Sequence, residues 1–386
     1  MPSWKHLLRA VVGIGVLLPA GCGLVAITDG TVEPREPLQS AAVVITPWAN
    51  GSGFLIDRGE RLLVTSAGLL RGDNKAGVEV VFPLLEDGKI KIKRDYYLLQ
   101  AKRLKATVVA SSAQYDLAVL RLESVPEDAV ELKPALAGCK PGEHVRLIGD
   151  VTRRSQIWGA TECTVGKVGE QKLIFANDQK VTARLAQLEA SPAIGKSTGG
   201  GPVVNDAGEV VAVIAGGAGD PPQLWCVDGS EVRYFLGIVY RKLASEAVKH
   251  HDYSKALALC DKSLAMNAKD PLAHNERGAA LSFLDRYDDA IAAYTRAIEL
   301  DPKLALAFRN RGSAHFYKGQ YQQAVDDCTQ AIKLDSRYAL AYKTRSQAYV
   351  KLNRPAEARA DEEQLRELNK INWTTTSPFP AHWFPD

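Results

Sequence analysis

The chain has 386 residues, of which 46% are hydrophobic and 24% charged, and its formal net charge is +3. The length suggests about two or three domains, and the composition excludes a generally disordered chain. So small a net charge argues against nucleic acid as the main partner. The six cysteines are too few for a disulfide scaffold in a chain of this length. No phosphate loop, dinucleotide fingerprint or cysteine and histidine cluster occurs, so we expect no cofactor and no metal.

Residues 1–22 have the pattern of a secretory signal. Basic residues precede the apolar run 10–18, and small residues follow it up to Cys22. The cysteine directly after Ala–Gly resembles the lipobox of bacterial lipoproteins, which implies lipidation of Cys22 and membrane anchoring through that lipid. The alternatives are an ordinary signal peptide and an uncleaved anchor that runs to about Ile27. All three predict export to the periplasm or cell envelope.

A linker over 23–37, polar and with two prolines from 28 onward, leads into a region rich in β-forming residues at 38–236. Short strand-like runs separated by Gly, Pro, Asn and Asp predict an all-β barrel or sandwich there. These runs are 41–45, 62–65, 78–82, 106–110, 117–122, 144–148 and 210–214.

Residues 237–370 change to a helical period and repeat themselves every 34 residues. The positions that keep this period are small or aromatic: Gly278, Gly312 and Ser346; Ala256, Ala290, Ala324 and Ala358; Tyr253, Tyr287 and Tyr321. That period and pattern resemble the tetratricopeptide repeat, and they predict four repeats that stack into an all-α solenoid. The tail 371–386 is rich in proline and large aromatic residues, and we expect it to cap the last repeat, with a position in the groove of the repeats as the alternative.

Four segments, in order, resemble the HtrA-like branch of the trypsin family of serine proteases. They are GSGFLID (51–57), LLVTSAGLL (62–70), YDLAVLRL (115–122) and GKSTGGGPVVNDAGEVVAVIAGG (195–217). This resemblance implies that 38–236 form a trypsin-like double β-barrel. The predicted architecture is therefore multi-domain, with the double barrel followed by the helical repeats.

The resemblance also places the catalytic triad of the family. Its histidine falls on Gly68, its aspartate on Asp116 and its serine on Gly199, so two of the three side chains are missing. The only histidine within 38–236 is His144, which alternates with apolar residues as on a solvated strand face. We therefore expect an inactive pseudoprotease, with Asp116 in a structural role. The alternative is an active serine endopeptidase that uses non-standard residues.

Two surfaces are expected to bind a protein or peptide partner. The barrel cleft retains strand edges that pair with an extended peptide, although a purely scaffolding role is the other reading. The first helix of each repeat is expected to line a groove. Its predicted lining residues are Asn275, Arg309, Asn310, Lys343 and Gln347. The alternative is that these are ordinary solvated positions.

Overall fold

A computed structural model describes residues 31–32, 36–70, 77–91, 96–97, 101–149, 158–174, 180–190, 199–215 and 223–372. The chain divides into two compact units, 1–232 and 233–386, which we call the barrel unit and the helical unit. The signal, Cys22 and most of the linker lie outside the described residues, as does the tail from 373 onward. None of the described helices is both long and apolar enough to span a membrane.

The N-terminal half of the barrel unit is a closed barrel of antiparallel strands in the order β2-β3-β4-β9-β8-β5. The strands of this half are β1 (Thr31–Val32), β2 (Ala41–Ile45), β3 (Asn50–Asp57), β4 (Leu62–Thr65), β5 (Val78–Val81), β6 (Leu85–Glu86), β7 (Lys89–Lys91), β8 (Leu104–Ser112) and β9 (Leu117–Leu122). A short helix, α1 (Glu36–Ser40), precedes β2, and β1, β7 and β6 form a separate small sheet. Alternate residues such as Val44, Leu55, Leu63 and Leu120 point into the barrel core, as the two-residue period of a strand requires.

A second closed barrel follows in the order β10-β11-β12-β15-β14-β13. Its strands are β10 (His144–Gly149), β11 (Gly159–Ile174), β12 (Lys180–Ala190), β13 (Pro202–Val204), β14 (Val210–Ile214) and β15 (Gln223–Asp228). Val145, Leu147, Ala212 and Ile214 belong to its core. Cys139, Cys163 and Cys226 are free thiols buried in the same core, and burial raises the pKa of all three.

The rest of the described chain is a succession of helix pairs. The helices are α2 (Gly229–Lys249), α3 (Tyr253–Met266), α4 (Pro271–Phe283), α5 (Tyr287–Leu300), α6 (Ala305–Tyr317), α7 (Tyr321–Leu334), α8 (Ala339–Lys351) and α9 (Pro355–Asn372). The helices α4, α6 and α8 begin 34 residues apart, as the sequence period predicts. The helix α4 packs on α5, α6 on α7 and α8 on α9, and α4 also contacts α6, as α6 does α8. The helices α2 and α3 are joined by a hydrogen bond from the Ser263 hydroxyl to the Gly237 carbonyl oxygen at 2.8 Å.

The small residues of the repeat sit where two helices come close. A Cβ atom added at Gly278 would lie 2.6 Å from the Tyr294 ring, and one at Gly312 would lie 3.0 Å from Cys328 Sγ. At Gly278 the Tyr294 ring would have to move to admit a side chain, whereas at Gly312 the sulfur would have to give by only a few tenths of an ångström. The all-β double barrel followed by an all-α solenoid is confirmed. The predicted boundary at 236/237 falls inside α2, because the helix begins directly after β15.

Candidate functional site

Asp116 occupies the turn between β8 and β9, where its side chain is completely buried and its backbone φ is +49°. Its carboxylate accepts a hydrogen bond from the Gly68 backbone N–H at 2.8 Å. The Ser66 hydroxyl, itself fully buried, lies 2.9 Å and 3.0 Å from the two carboxylate oxygens. The Asp116 carbonyl oxygen also accepts from Ala67 N at 3.2 Å. These hydrogen bonds connect the turn that contains Asp116 to the short 3₁₀ helix Ala67–Leu69, which includes Gly68.

Gly199 and Gly200 lie at the junction of the two barrels. The Gly199 carbonyl oxygen accepts a hydrogen bond from Ser52 N in β3 at 2.9 Å, whereas Gly200 N donates to Ile214 O in β14 at 2.7 Å. Gly200 has a φ of +87°, and a Cβ atom there would lie 2.6 Å from Ser66 N. The same Ser66 binds Asp116, so the three positions predicted from the sequence converge on one place.

Leu69 fills space beside this junction. A Cβ atom at Gly51 would lie 2.3 Å from Leu69 Cδ1 and 2.9 Å from the Gly199 carbonyl oxygen. The Leu69 side chain is buried and belongs to the core of the first barrel. The apolar Leu69 side chain therefore lies near the carbonyl group of Gly199, the residue at the nucleophile position. Leu69 has no group that could transfer a proton.

His144 is exposed at the start of β10, where it pairs with Thr164 of β11. Its neighbour Val145 points into the second barrel core, so the imidazole lies on the opposite face of the strand. This agrees with the solvated position expected from the sequence. Lys196, Ser197 and Thr198, which precede the nucleophile position, lie outside the described residues.

We expect Asp116→Ala to lower the free energy of unfolding of the barrel unit by about 2 kcal/mol. The substitution leaves the Gly68 N–H and the Ser66 hydroxyl without their acceptor and places alanine at a positive φ. Asp116→Asn keeps an acceptor oxygen, and asparagine tolerates this φ, so we expect a smaller loss of stability than in Asp116→Ala. Denaturant unfolding followed by tryptophan fluorescence measures both, and equal losses would contradict the structural role assigned to the carboxylate.

The predicted groove residues separate into a buried group and an exposed group. Asn310 Nδ2 donates to Asn275 Oδ1 at 3.0 Å, and Arg309 Nη1 donates to Asn310 Oδ1 at 2.9 Å. These three side chains are buried between α4 and α6. Lys343 and Gln347 on α8 are exposed. The exposed part of the predicted groove is therefore at α8, where no later first helix is present among the described residues.

A column of arginines with the same 34-residue period joins successive helix pairs. Arg345 forms a bidentate pair with Asp361, at 2.6 Å and 2.8 Å, and donates to Thr329 of the preceding pair at 3.0 Å. Arg311 repeats the arrangement with Asp327, at 2.7 Å and 2.9 Å. Sequence reasoning missed this function of the column, although the recurrence of arginine one residue before the small repeat position is visible in the sequence.

Glu276 on α4 is a half-buried ionisable residue. Its Oε2 atom is buried and has no hydrogen-bond partner among the described residues. Burial raises the pKa of Glu276 to about 7, while the charges of Arg241 and Lys249 on α2 lower it by less. Asp270, which caps α4, faces the same group and raises its pKa slightly. Glu276 is therefore partly protonated at neutral pH.

This raised pKa predicts that the helical unit loses stability as pH rises. An unfolded glutamate titrates near pH 4.3, so between about pH 4.3 and 7 the folded state holds more protons than the unfolded state. The stability is fully present below that window and falls through it by about 1–3 kcal/mol. Glu276→Gln should remove most of this fall. Thermal unfolding of the full chain at several pH values, followed by far-ultraviolet circular dichroism, tests it; an unchanged pH profile would show that Glu276 is not responsible.

Comparison with solved structures finds several partial similarities. The inactive form of the Rv3671c protease of M. tuberculosis is 21% identical, with a TM-score of 0.41 over 53% of this chain and 90% of that chain. Deg5 is 16% identical, with a TM-score of 0.38 over 51% and 87% of the two chains. MamA protein is 20% identical, with a TM-score of 0.33 over 37% and 79%. No curated protein matches the sequence significantly.

Two family models match separate parts of the sequence. The trypsin-like peptidase domain matches residues 51–213, which include Gly68, Asp116 and Gly199. The tetratricopeptide repeat matches residues 271–304 and 305–338, which correspond to the pairs α4–α5 and α6–α7. The chain therefore combines a trypsin-like peptidase domain with tetratricopeptide repeats.

Proposed function

We propose that this chain is an exported, non-hydrolytic binding protein built from an inactive peptidase domain and a set of repeats that hold a protein or peptide partner. One observation carries the proposal. The Asp116 carboxylate hydrogen-bonds to the backbone N–H of Gly68 and to the buried Ser66 hydroxyl, at the position where the family has a histidine. With glycine also at 199, the triad positions supply neither the serine oxygen that attacks the substrate nor the histidine that takes its proton.

Ser66 is a poor substitute nucleophile for physical reasons. Its hydroxyl is fully buried and donates to a carboxylate in the interior of the barrel unit. A nucleophile must approach a substrate carbonyl, which a fully buried hydroxyl does not do even though the Asp116 carboxylate lies within hydrogen-bond reach of it. His144, the only histidine of residues 38–236, lies on a solvated strand face. These points favour the inactive reading over an active endopeptidase with displaced catalytic groups.

The binding role rests on the repeats. Tetratricopeptide repeats generally mediate contacts between proteins, and their stacked helices offer an extended surface. The sequence features of residues 1–22 support export to the periplasm or cell envelope, with anchoring through a lipid on Cys22 as the favoured form. A cleft in the barrel unit that still accepts an extended peptide would add a second binding surface.

Casein digestion by the wild-type chain and by Gly68→His/Gly199→Ser tests the proposal. We expect no digestion by the wild type, since removal of a catalytic triad costs on the order of 10⁶-fold in rate. The double variant restores both missing side chains next to Asp116. We therefore expect casein digestion, if any occurs, only with the double variant. Digestion by the wild type, abolished by an inhibitor of serine proteases, would refute the proposal.

A further inference from the structure

The helical unit separates its charges between two layers. The first helices of the four pairs (α2, α4, α6 and α8) carry ten lysines and arginines against three glutamates. The second helices (α3, α5, α7 and α9) carry seven lysines and arginines against eleven aspartates and glutamates. The first-helix layer is thus strongly basic and the second-helix layer acidic, although the chain as a whole has a net charge of only +3.

Internal pairing neutralises part of the basic layer, and Lys343 and Lys351 remain exposed. Arg277, Arg311 and Arg345 are bound to aspartates of the second helices. By contrast, Lys343 and Lys351 on α8 are exposed and have no ion pair among the described residues. Lys343 and Lys351 therefore carry unneutralised positive charge on the exposed surface of α8.

On α8 these lysines form one stripe. Lys343, Gln347 and Lys351 are four residues apart, so they lie on the same face of the helix, and all three are exposed. Val350, with 59% of its surface exposed, lies next to Lys351 in the chain and almost two turns beyond Lys343. The surface at α8 thus offers two cations, an amide and an apolar contact along the length of one helix.

We propose that the first-helix layer, at the stripe Lys343–Gln347–Lys351, binds an acidic segment of a partner protein. This deepens the proposed function and rests on it. Carboxylates of such a segment complement the lysines, and charge complementarity of this kind directs which partner is chosen more than it adds affinity. A long polyanion is a poorer match, because the acidic second-helix layer and the small net charge of the chain reduce its long-range attraction.

The test is fluorescence anisotropy of the full chain with a short labelled peptide in which glutamate alternates with valine. A peptide with glutamine in place of glutamate is the neutral control. We expect the acidic peptide to bind about tenfold more tightly than the neutral one, and this preference to shrink as salt screens the charges. Equal affinities for the two peptides would overturn the proposal.

Matched charge reversals locate the surface. Lys343→Glu/Lys351→Glu should weaken binding of the acidic peptide about tenfold. Lys333→Glu/Arg359→Glu makes the same change in net charge at exposed positions of the second helices α7 and α9, and should change affinity less than about twofold. Circular dichroism checks that both variants keep their helices. Equal losses in the two variants, or tighter binding of duplex DNA or anionic vesicles, would overturn the inference.

The outcomes separate this inference from the proposed function. Binding of both peptides without a charge preference leaves a binding role intact and removes only the assignment of an acidic partner. Cleavage of either peptide would instead refute the non-hydrolytic function.

Discussion

Gly200→Ala is expected to lower the free energy of unfolding of the barrel unit by about 3–5 kcal/mol, which would leave it close to unfolded. A Cβ atom at this position would lie 2.3 Å from Ser52 O, 2.5 Å from Thr65 Oγ1 and 2.6 Å from Ser66 N. Two of these atoms are backbone, so relief requires strands to move. The φ of +87° adds a further cost for any residue with a side chain.

A control separates backbone strain from crowding. Gly208 has a similar φ of +78°, but nothing lies within 4 Å of a Cβ atom placed there. Gly208→Ala should therefore cost only about 1 kcal/mol. Denaturant unfolding followed by tryptophan fluorescence measures both variants in a background in which Trp373 and Trp383, the two tryptophans of the helical unit, are replaced by phenylalanine. Losses of equal size would show that the atoms around Gly200 do not crowd a side chain there.

Arg345→Ala is expected to lower the stability of the helical unit by about 2–4 kcal/mol, because it leaves the Asp361 carboxylate buried without its bidentate partner. The same side chain also binds Thr329, so one substitution loosens α7, α8 and α9 together. The loss should appear as an earlier midpoint in urea unfolding followed by far-ultraviolet circular dichroism.

Arg296→Ala is the matched control for Arg345. Arg296 pairs with Glu299 at 2.8 Å, but about half of each side chain is exposed, at 51% and 56%. Such surface pairs contribute about 0.5 kcal/mol or less. If Arg345→Ala costs no more than Arg296→Ala, the arginine column does not hold the helix pairs together.

The periodic parts of the fold could be predicted from the sequence. The runs 41–45, 62–65, 117–122 and 210–214 coincide with β2, β4, β9 and β14. They are apolar and short, with turn-forming residues at both ends, which makes their limits visible. The 34-residue period predicted the spacing between equivalent helices, because small and aromatic residues recur wherever two helices touch.

The long hairpin of β11 and β12 was not predicted. Its strands contain many charged and polar residues and several glycines, and they lack the dense apolar runs of the other strands. Antiparallel pairing to a neighbouring strand, such as Thr164 to Glu189, holds it in register, and that pairing is invisible in either strand alone. The start of α2 was also not predicted, because this helix follows β15 directly and no turn marks the boundary in the sequence.

The candidate site was predicted in part. The positions of Gly68, Asp116 and Gly199 followed from the resemblance, and the structure brings their surroundings together. The hydrogen bond between Ser66 and Asp116 could not be predicted from the sequence, because nothing in the sequence distinguishes Ser66 from any other residue after a strand. In the repeats, the register gave the helix face of Asn275 and Asn310 but not their burial, which depends on the contact between α4 and α6.

Labelling of the purified wild-type chain with a fluorophosphonate probe, followed by mass spectrometry of its peptides, tests the central claim most directly. The probe reacts with a serine only when a neighbouring base activates it. We predict no labelled serine in the wild type, and a label at position 199 in Gly68→His/Gly199→Ser. Stoichiometric labelling of any one serine in the wild type would contradict the account and identify an active nucleophile.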